Sequence, residues 1–335
     1  MQPRRPPGGA VSSRAAVMDG ATPPRKDATG CLTQVNTATA ASGEYPDAHP
    51  AENNDMIKDI LVLVPTERPA RPVIDASISL AATFGAHLDA VAAGYISSST
   101  AYVMDGGAGA AVASVFEMEQ ERATQRAAAA LEVFEAEARN ARIAYACHPM
   151  QSVPADAADA IGAAARLYDL AVVQQPMSDY DTFDNALPKE ILFRSGGPVL
   201  FVPHIFRGAL KAKRIGICWD GSRVAARALR DARPFLHHAD ALVAISINGA
   251  DSAPAHASTD ALARHLARAG LPIRSVDLTA GRSEIQPTIL SLAADESLDM
   301  LVMGGYGHSR LQEGLLGGVT RAMLEAMTVP TLMTH

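Results

Sequence analysis

Ile60-Leu61-Val62-Leu63-Val64, set between Lys58-Asp59 and Pro65-Thr66, is the stretch whose reading decides the fold. Five consecutive apolar residues leave no polar face, so a strand here is buried on both sides, as in a parallel sheet covered by helices. The downstream pattern agrees. A helix is expected from about Pro72, with Ile74, Ile78 and Ala81 on one face, then a strand over Leu88–Ala93. A long helix with an Ala127, Ala130, Leu131, Phe134 stripe follows Gly106-Gly107-Ala108-Gly109. Arg142–Cys147 and Leu170–Val173 read as strands three and four, with a helix over Ala155–Leu167 between them. A short helix around Pro188–Phe193 and a strand over Val199–Val202 close the unit.

The pattern then restarts. Ile215–Trp219 reads as a first strand, and Ser222 is placed to cap the helix carrying Ala225, Ala228, Leu229 and Ala232. Strands are expected over Leu242–Ile247, Ile273–Leu278, Met300–Met303 and Val329–Met333. Helices lie between them, one ended by Gly270 and another spanning Thr320–Met327. Each half is βαβαβαβαβ, and Pro198-Val199-Leu200 is echoed by Pro330-Thr331-Leu332. The expectation is an α/β protein of two tandem Rossmann-like domains, 55–205 and 206–335. Each is a five-stranded, mainly parallel sheet with helices on both faces.

Residues 1–54 differ. They hold 7 of the 21 prolines and almost no large apolar residues, so they cannot bury enough surface to offset their ordering entropy and are expected to be disordered. A sharper expectation is that this segment is not native and that Met56 is the true start, a question for intact-mass measurement.

Composition excludes several classes. Formal net charge is −7, which is not the basic footprint of a nucleic-acid binder. No apolar run reaches membrane-span length, and Met1-Gln2-Pro3-Arg4-Arg5 opens no secretory leader. Cys31, Cys147 and Cys218 are distant and odd in number, which reads as unpaired thiols in the cytoplasm, and no Cys/His group has zinc spacing.

The chemistry concentrates after strand four of the second half, in Gly304-Gly305-Tyr306-Gly307-His308-Ser309-Arg310 and on through Leu315-Leu316-Gly317-Gly318-Val319-Thr320. Glycines at a strand end and before a helix let backbone N–H groups approach an anion, and the helix N-terminus adds partial positive charge. Thr320 can cap that helix or give its hydroxyl to a phosphate, and Arg310 and Arg321 can add charge-assisted bonds. A plain glycine-rich helix entry is the competing reading.

Gly304-x2-Gly307-x9-Gly317 resembles the nucleotide-binding signature of the universal stress protein family, Gly-x2-Gly-x9-Gly followed by Ser or Thr. Ile217-Cys218-Trp219-Asp220-Gly221-Ser222 resembles the family's first strand, where an Asp lies near the adenosine. The resemblance covers about Met56–His335 in architecture and reaches motif level only in the second half. It implies an ATP-type ligand, with or without Mg, held by Gly304, Gly307, Gly317, Gly318, Val319 and Thr320. Asp220 would lie near the nucleoside, and Ile247 would mark the strand end offered to the adenine. Gly318 departs from the pattern, because it stands where the family has Ser or Thr. A lost hydroxyl contact costs about 1 kcal/mol, or several-fold in affinity.

In the first half Gln174-Gln175-Pro176-Met177 replaces the glycines, and Asp179, Asp181 and Asp184 would repel phosphates, so no nucleotide is expected there. The three carboxylates read as a solvated acidic loop rather than a metal site. Trp219 reads as core, His308 as a solvated loop residue, Cys218 as a small core residue, and His335 has no assigned role.

The resemblance implies a regulatory nucleotide binder, not an enzyme, with an unidentified regulatory protein partner. Homodimerisation is expected through strand-five edges or helices, and those same edges could instead pair within one chain. An interaction module without nucleotide and a slow ATP hydrolase stay open as alternatives.

Overall fold

The computed structural model describes residues 56–96, 110–177, 182–249, 255–306 and 318–335. The expected disorder of residues 1–54 lies outside them, as do Gly106–Gly109, Asp179, Asp181, Gly307, His308, Arg310 and Gly317. Glu52–His335 forms one compact unit.

The first half runs β1 (Asp59–Leu63), α1 (Arg71–Phe84), β2 (His87–Tyr95), α2 (Ala110–Ala141), β3 (Tyr145–Ser152), α3 (Pro154–Ala164), β4 (Leu170–Gln174), α4 (Leu187–Arg194) and β5 (Val199–Val202). The second runs β6 (Arg214–Cys218), α5 (Arg223–Asp231), α6 (Arg233–Leu236), β7 (Ala241–Ile247), α7 (Thr259–Arg268), β8 (Arg274–Leu278), α8 (Ile285–Asp295), β9 (Met300–Gly304), α9 (Val319–Ala326) and β10 (Thr331–Thr334). The fold is α/β around one large, mostly parallel sheet of order β3-β2-β1-β4-β5-β10-β9-β6-β7-β8.

Alternation along each strand builds two cores. Ile60, Val62 and Leu200 face α1, α2, α5 and α7. Leu61, Leu63 and Val199 face α3, α4, α8 and α9. The apolar run of β1 is buried on both faces because both layers are present.

The halves meet at β5 and β10, the one antiparallel pair in that order, with Leu332 opposite Leu200. β5 also pairs with β4, and β10 with β9. This corrects the expectation of a homodimer through strand-five edges, since both edges of both strands are already used within the chain. The connection between halves is pinned as well: Leu210 is buried, and its N–H donates to Ser79 Oγ at 2.9 Å.

Strand three lies later than the sequence suggests. Arg142 closes α2 with φ of 56°, so the chain turns before β3 begins at Tyr145. β3 is an edge strand, and His148, Pro149 and Gln151 give it no apolar run to mark its end.

Candidate functional site

Ligands on such sheets bind beyond the carboxyl ends of the strands, where strand order reverses. In the second half that place lies between β6 and β9, which pair directly, with β7 on the other side of β6. Beyond β6, Asp220 Oδ1 accepts the Ser222 N–H at 2.9 Å, and Gly221 takes φ of 73°. Ser222 then caps α5, its Oγ accepting the Ala225 N–H at 3.2 Å.

Gly304 lies against this same cap. A Cβ on it would stand 2.6 Å from Val224 Cγ2 and 2.7 Å from the Ala225 nitrogen, so only glycine permits the approach. The chain then turns through Tyr306, whose φ is 52°. The Tyr306 N–H donates to Thr320 Oγ1 at 3.1 Å. Thr320 is only 5% exposed, and its hydroxyl keeps a proton to donate. Gly318 is the N-cap residue of α9 and supplies no side-chain cap, so Val319 and Thr320 open the helix.

Gly304 thus meets the start of α5, and Tyr306, two residues on, meets Thr320 at the start of α9. Ile247 lies at the same end of β7, where Trp219 N–H donates to Ile245 O at 2.8 Å and keeps the two strand ends level. Beyond it Asn248, with φ of 58°, bonds Ala280 through both side-chain atoms and ties β7 to the segment after β8. Arg321 is directed elsewhere, with Nε donating to Glu325 Oε1 at 2.7 Å. Trp219 is a floor residue at 9% exposure, its indole N–H bonded to Ala257 O at 2.7 Å. Burial pushes the neighbouring Cys218 thiol up to about 12.

Contacts from the first half were not foreseen. The Phe193 ring lies 4.9 Å from Tyr306 and 4.8 Å from His335. His335 Nδ1 is 3.1 Å from Gly305 O, and Arg227 donates to the His335 carbonyl. Gln175, fully buried, donates from Nε2 to Leu324 O of α9 at 3.0 Å. The His335 bonds to Gly305 and Arg227 lie within the second half, whereas no sequence spacing signals the Phe193 and Gln175 contacts, because they depend on the β5–β10 join.

At the corresponding strand ends of the first half the chain's own groups pack together. The carbonyl of Ala123 in α2 lies so near Gly94 that a Cβ there would run into it. Arg126 Nη2 donates to Tyr95 O at 2.8 Å, at the end of β2. Asp184 corrects the expectation of a solvated loop. It is 2% exposed, and its Oδ2 accepts the Thr66 N–H at 2.9 Å and the Glu67 N–H at 2.8 Å. Arg68, also buried, reaches the carbonyls of Gln174, Gln175 and Asp184. Among the described residues no three His, Cys, Asp or Glu side chains converge as a metal site, and no helix is long and apolar enough to cross a membrane.

The fold and its crevice define a doubly wound α/β protein of Rossmann-like plan. Residues 211–335 match the family model for universal stress proteins. A universal stress protein from Archaeoglobus fulgidus DSM 4304 superposes with a TM-score of 0.60 at 14% identity, covering 82% of this chain and 97% of that one. A Pseudomonas aeruginosa UCBPP-PA14 protein assigned to the same family gives 0.53 at 15% identity, covering 84% and 94%. Both likenesses are in fold. No curated protein matches the sequence.

Proposed function

We propose that the chain is an asymmetric pair of universal stress protein domains, divided near residue 205, in which the second binds an ATP-type nucleotide and the first binds none. The role is regulatory rather than catalytic. The observation that carries this reading is the meeting of Gly304 with the capped start of α5, beside Asp220 and the hydroxyl of Thr320. Close backbone approach, a carboxylate at one strand end and the N-terminus of α9 are what a nucleoside polyphosphate needs. Gly307, Gly317 and Arg310 complete the proposed cradle, and Mg would accompany the phosphates as their counter-ion rather than sit in a protein-built cage. Arg321 would have to leave Glu325 to reach a phosphate, so we give it no primary role.

Nucleotide occupancy in this reading biases a protein partner. The contacts of Arg126, Ala123, Arg68 and Asp184 at the strand ends of the first half support the reading that this half takes no ligand. The unpaired thiols Cys147 and Cys218 suit a reducing, cytoplasmic setting.

Mass spectrometry of what copurifies, followed by calorimetry with Mg-ATP on wild type and Gly307→Val, tests the proposal. Wild type should bind and the variant should not. Absence of binding in wild type would leave the interaction module as the reading, unchanged binding in the variant would displace the site, and rapid turnover would restore the hydrolase.

A further inference from the structure

A second concavity lies on the other side of Trp219. It is a groove of about 450 Å³ between α5–α6 and α7, within the roughly 300–1,000 Å³ typical of small-molecule sites. Its floor is apolar: Trp219, Leu229, Leu236, Leu262 and Leu266 are all buried side chains. The only polar atom of the indole, its N–H, is already bonded to Ala257 O.

The rim has the opposite character. Arg230, Arg233, His256 and His265 line it, all four exposed, and no Asp or Glu does. That is unusual in a chain with 36 acidic against 29 basic residues. Among the described residues no hydrogen bond or ion pair engages either guanidinium, and Arg230 acts on Asp231 only through its longer-range field. Some surface arginines elsewhere pair with carboxylates, Arg71 with Glu137, Arg139 with Glu135, Arg274 with Glu296 and Arg321 with Glu325. In the first half the equivalent slot is closed, because the 32-residue α2 lays Ala127, Leu131 and Phe134 into the core beside α1. α7 buries Leu262 and Leu266 in the same core, and the groove lies open over them.

We propose that this groove is a binding site for a small amphipathic carboxylate, a medium-length acyl chain whose tail lies on the Trp219–Leu266 floor and whose head is taken by Arg230 and Arg233. Carboxylates suit the planar, permanently charged guanidinium, and the imidazoles of His256 and His265 supply further hydrogen-bonding nitrogen. A nucleotide does not suit it, since the floor offers a base no free polar partner. The site is independent of the nucleotide reading.

Trp219 is the chain's only tryptophan, so it reports directly. The full chain is titrated with decanoate below its aggregation threshold, and Trp219 emission is followed. A saturable change is expected, weakened about tenfold or more in the Arg230→Ser/Arg233→Ser double variant, as the loss of charge-assisted bonds requires. Decanol, with the same tail and no charge, should bind at least about tenfold more weakly than decanoate for the same reason. Ala261→Phe, which fills the groove, should abolish the response with circular dichroism unchanged. A response that never saturates, equal affinity for decanol, or wild-type affinity in the double arginine variant overturns the proposal.

Discussion

Replacing Asp184 by alanine is expected to destabilise the protein by about 3–5 kcal/mol, the range for removing one partner of a buried charge pair. The figure follows from what the carboxylate holds. Its Oδ2 satisfies two backbone amides, those of Thr66 and Glu67, and its Oδ1 accepts the Tyr95 hydroxyl at 3.2 Å. Each buried amide left without an acceptor costs about 1–3 kcal/mol, and Arg68 would lose its compensating charge. Asp184→Asn keeps an acceptor oxygen for the amides and should lose less than half as much. Burial raises the Asp184 carboxyl above its usual range, outweighing the Thr66 and Glu67 amides and Arg68, which act in the other direction. A folded-state value above the unfolded one means the group's contribution is complete below the unfolded value, about 3.9, and is lost as pH rises through the folded value. The gap between wild type and Asp184→Asn should therefore narrow as pH climbs from about 4. Urea unfolding followed by circular dichroism at several pH values measures all three quantities. An alanine loss under about 1 kcal/mol, far below the buried-pair range, or equal losses for Ala and Asn, would refute the reasoning.

Gly304→Ala puts a Cβ 2.6–2.8 Å from Val224 and the Ala225 nitrogen, and overpacking of this kind should cost about 1–3 kcal/mol in urea unfolding. Gly197→Ala, with open space around it, is the control and should be near neutral. Cys218, its thiol pushed up to about 12 by burial, should resist iodoacetamide at pH 8 in the folded protein and react once urea is added, as peptide mapping would show. Rapid native labelling of Cys218 would contradict its burial. Ser222→Ala removes the cap on Ala225 N–H and should cost about 1 kcal/mol, while Ser222→Asn should retain most of the stability.

Much of this architecture was readable from the chain because β1, β4, β5 and β9 are apolar on both faces and turns separate them clearly. Strand ends were less readable at β3, where an edge position removes the apolar signal and the positive φ of Arg142 delays the start. The Ser222 cap and the core position of Trp219 were foreseen from local pattern and hold. Asp184 was misread because a carboxylate in an acidic stretch normally faces water. Its partners, Thr66 and Glu67, are more than a hundred residues away, and nothing local announces them. The same distance hides Gln175, which reads in sequence only as a missing glycine yet reaches α9 from β4.

Those long-range contacts give the asymmetry between the halves a physical form. Both halves place a β1-type strand end beside a β4-type strand end. In the first, the loop amides that an anion could engage are already satisfied by Asp184, and the strand-two carbonyl of Tyr95 by Arg126. In the second half the corresponding loop has a local carboxylate instead, Asp220, whose Oδ1 accepts one amide, that of Ser222. The first half also touches the second. Phe193 and Gln175, both from the first half, touch Tyr306 after β9 and Leu324 of α9. Gln175 joins the two regions: its carbonyl accepts from Arg68 in the first half, and its side-chain amide donates to Leu324 O of α9 in the second.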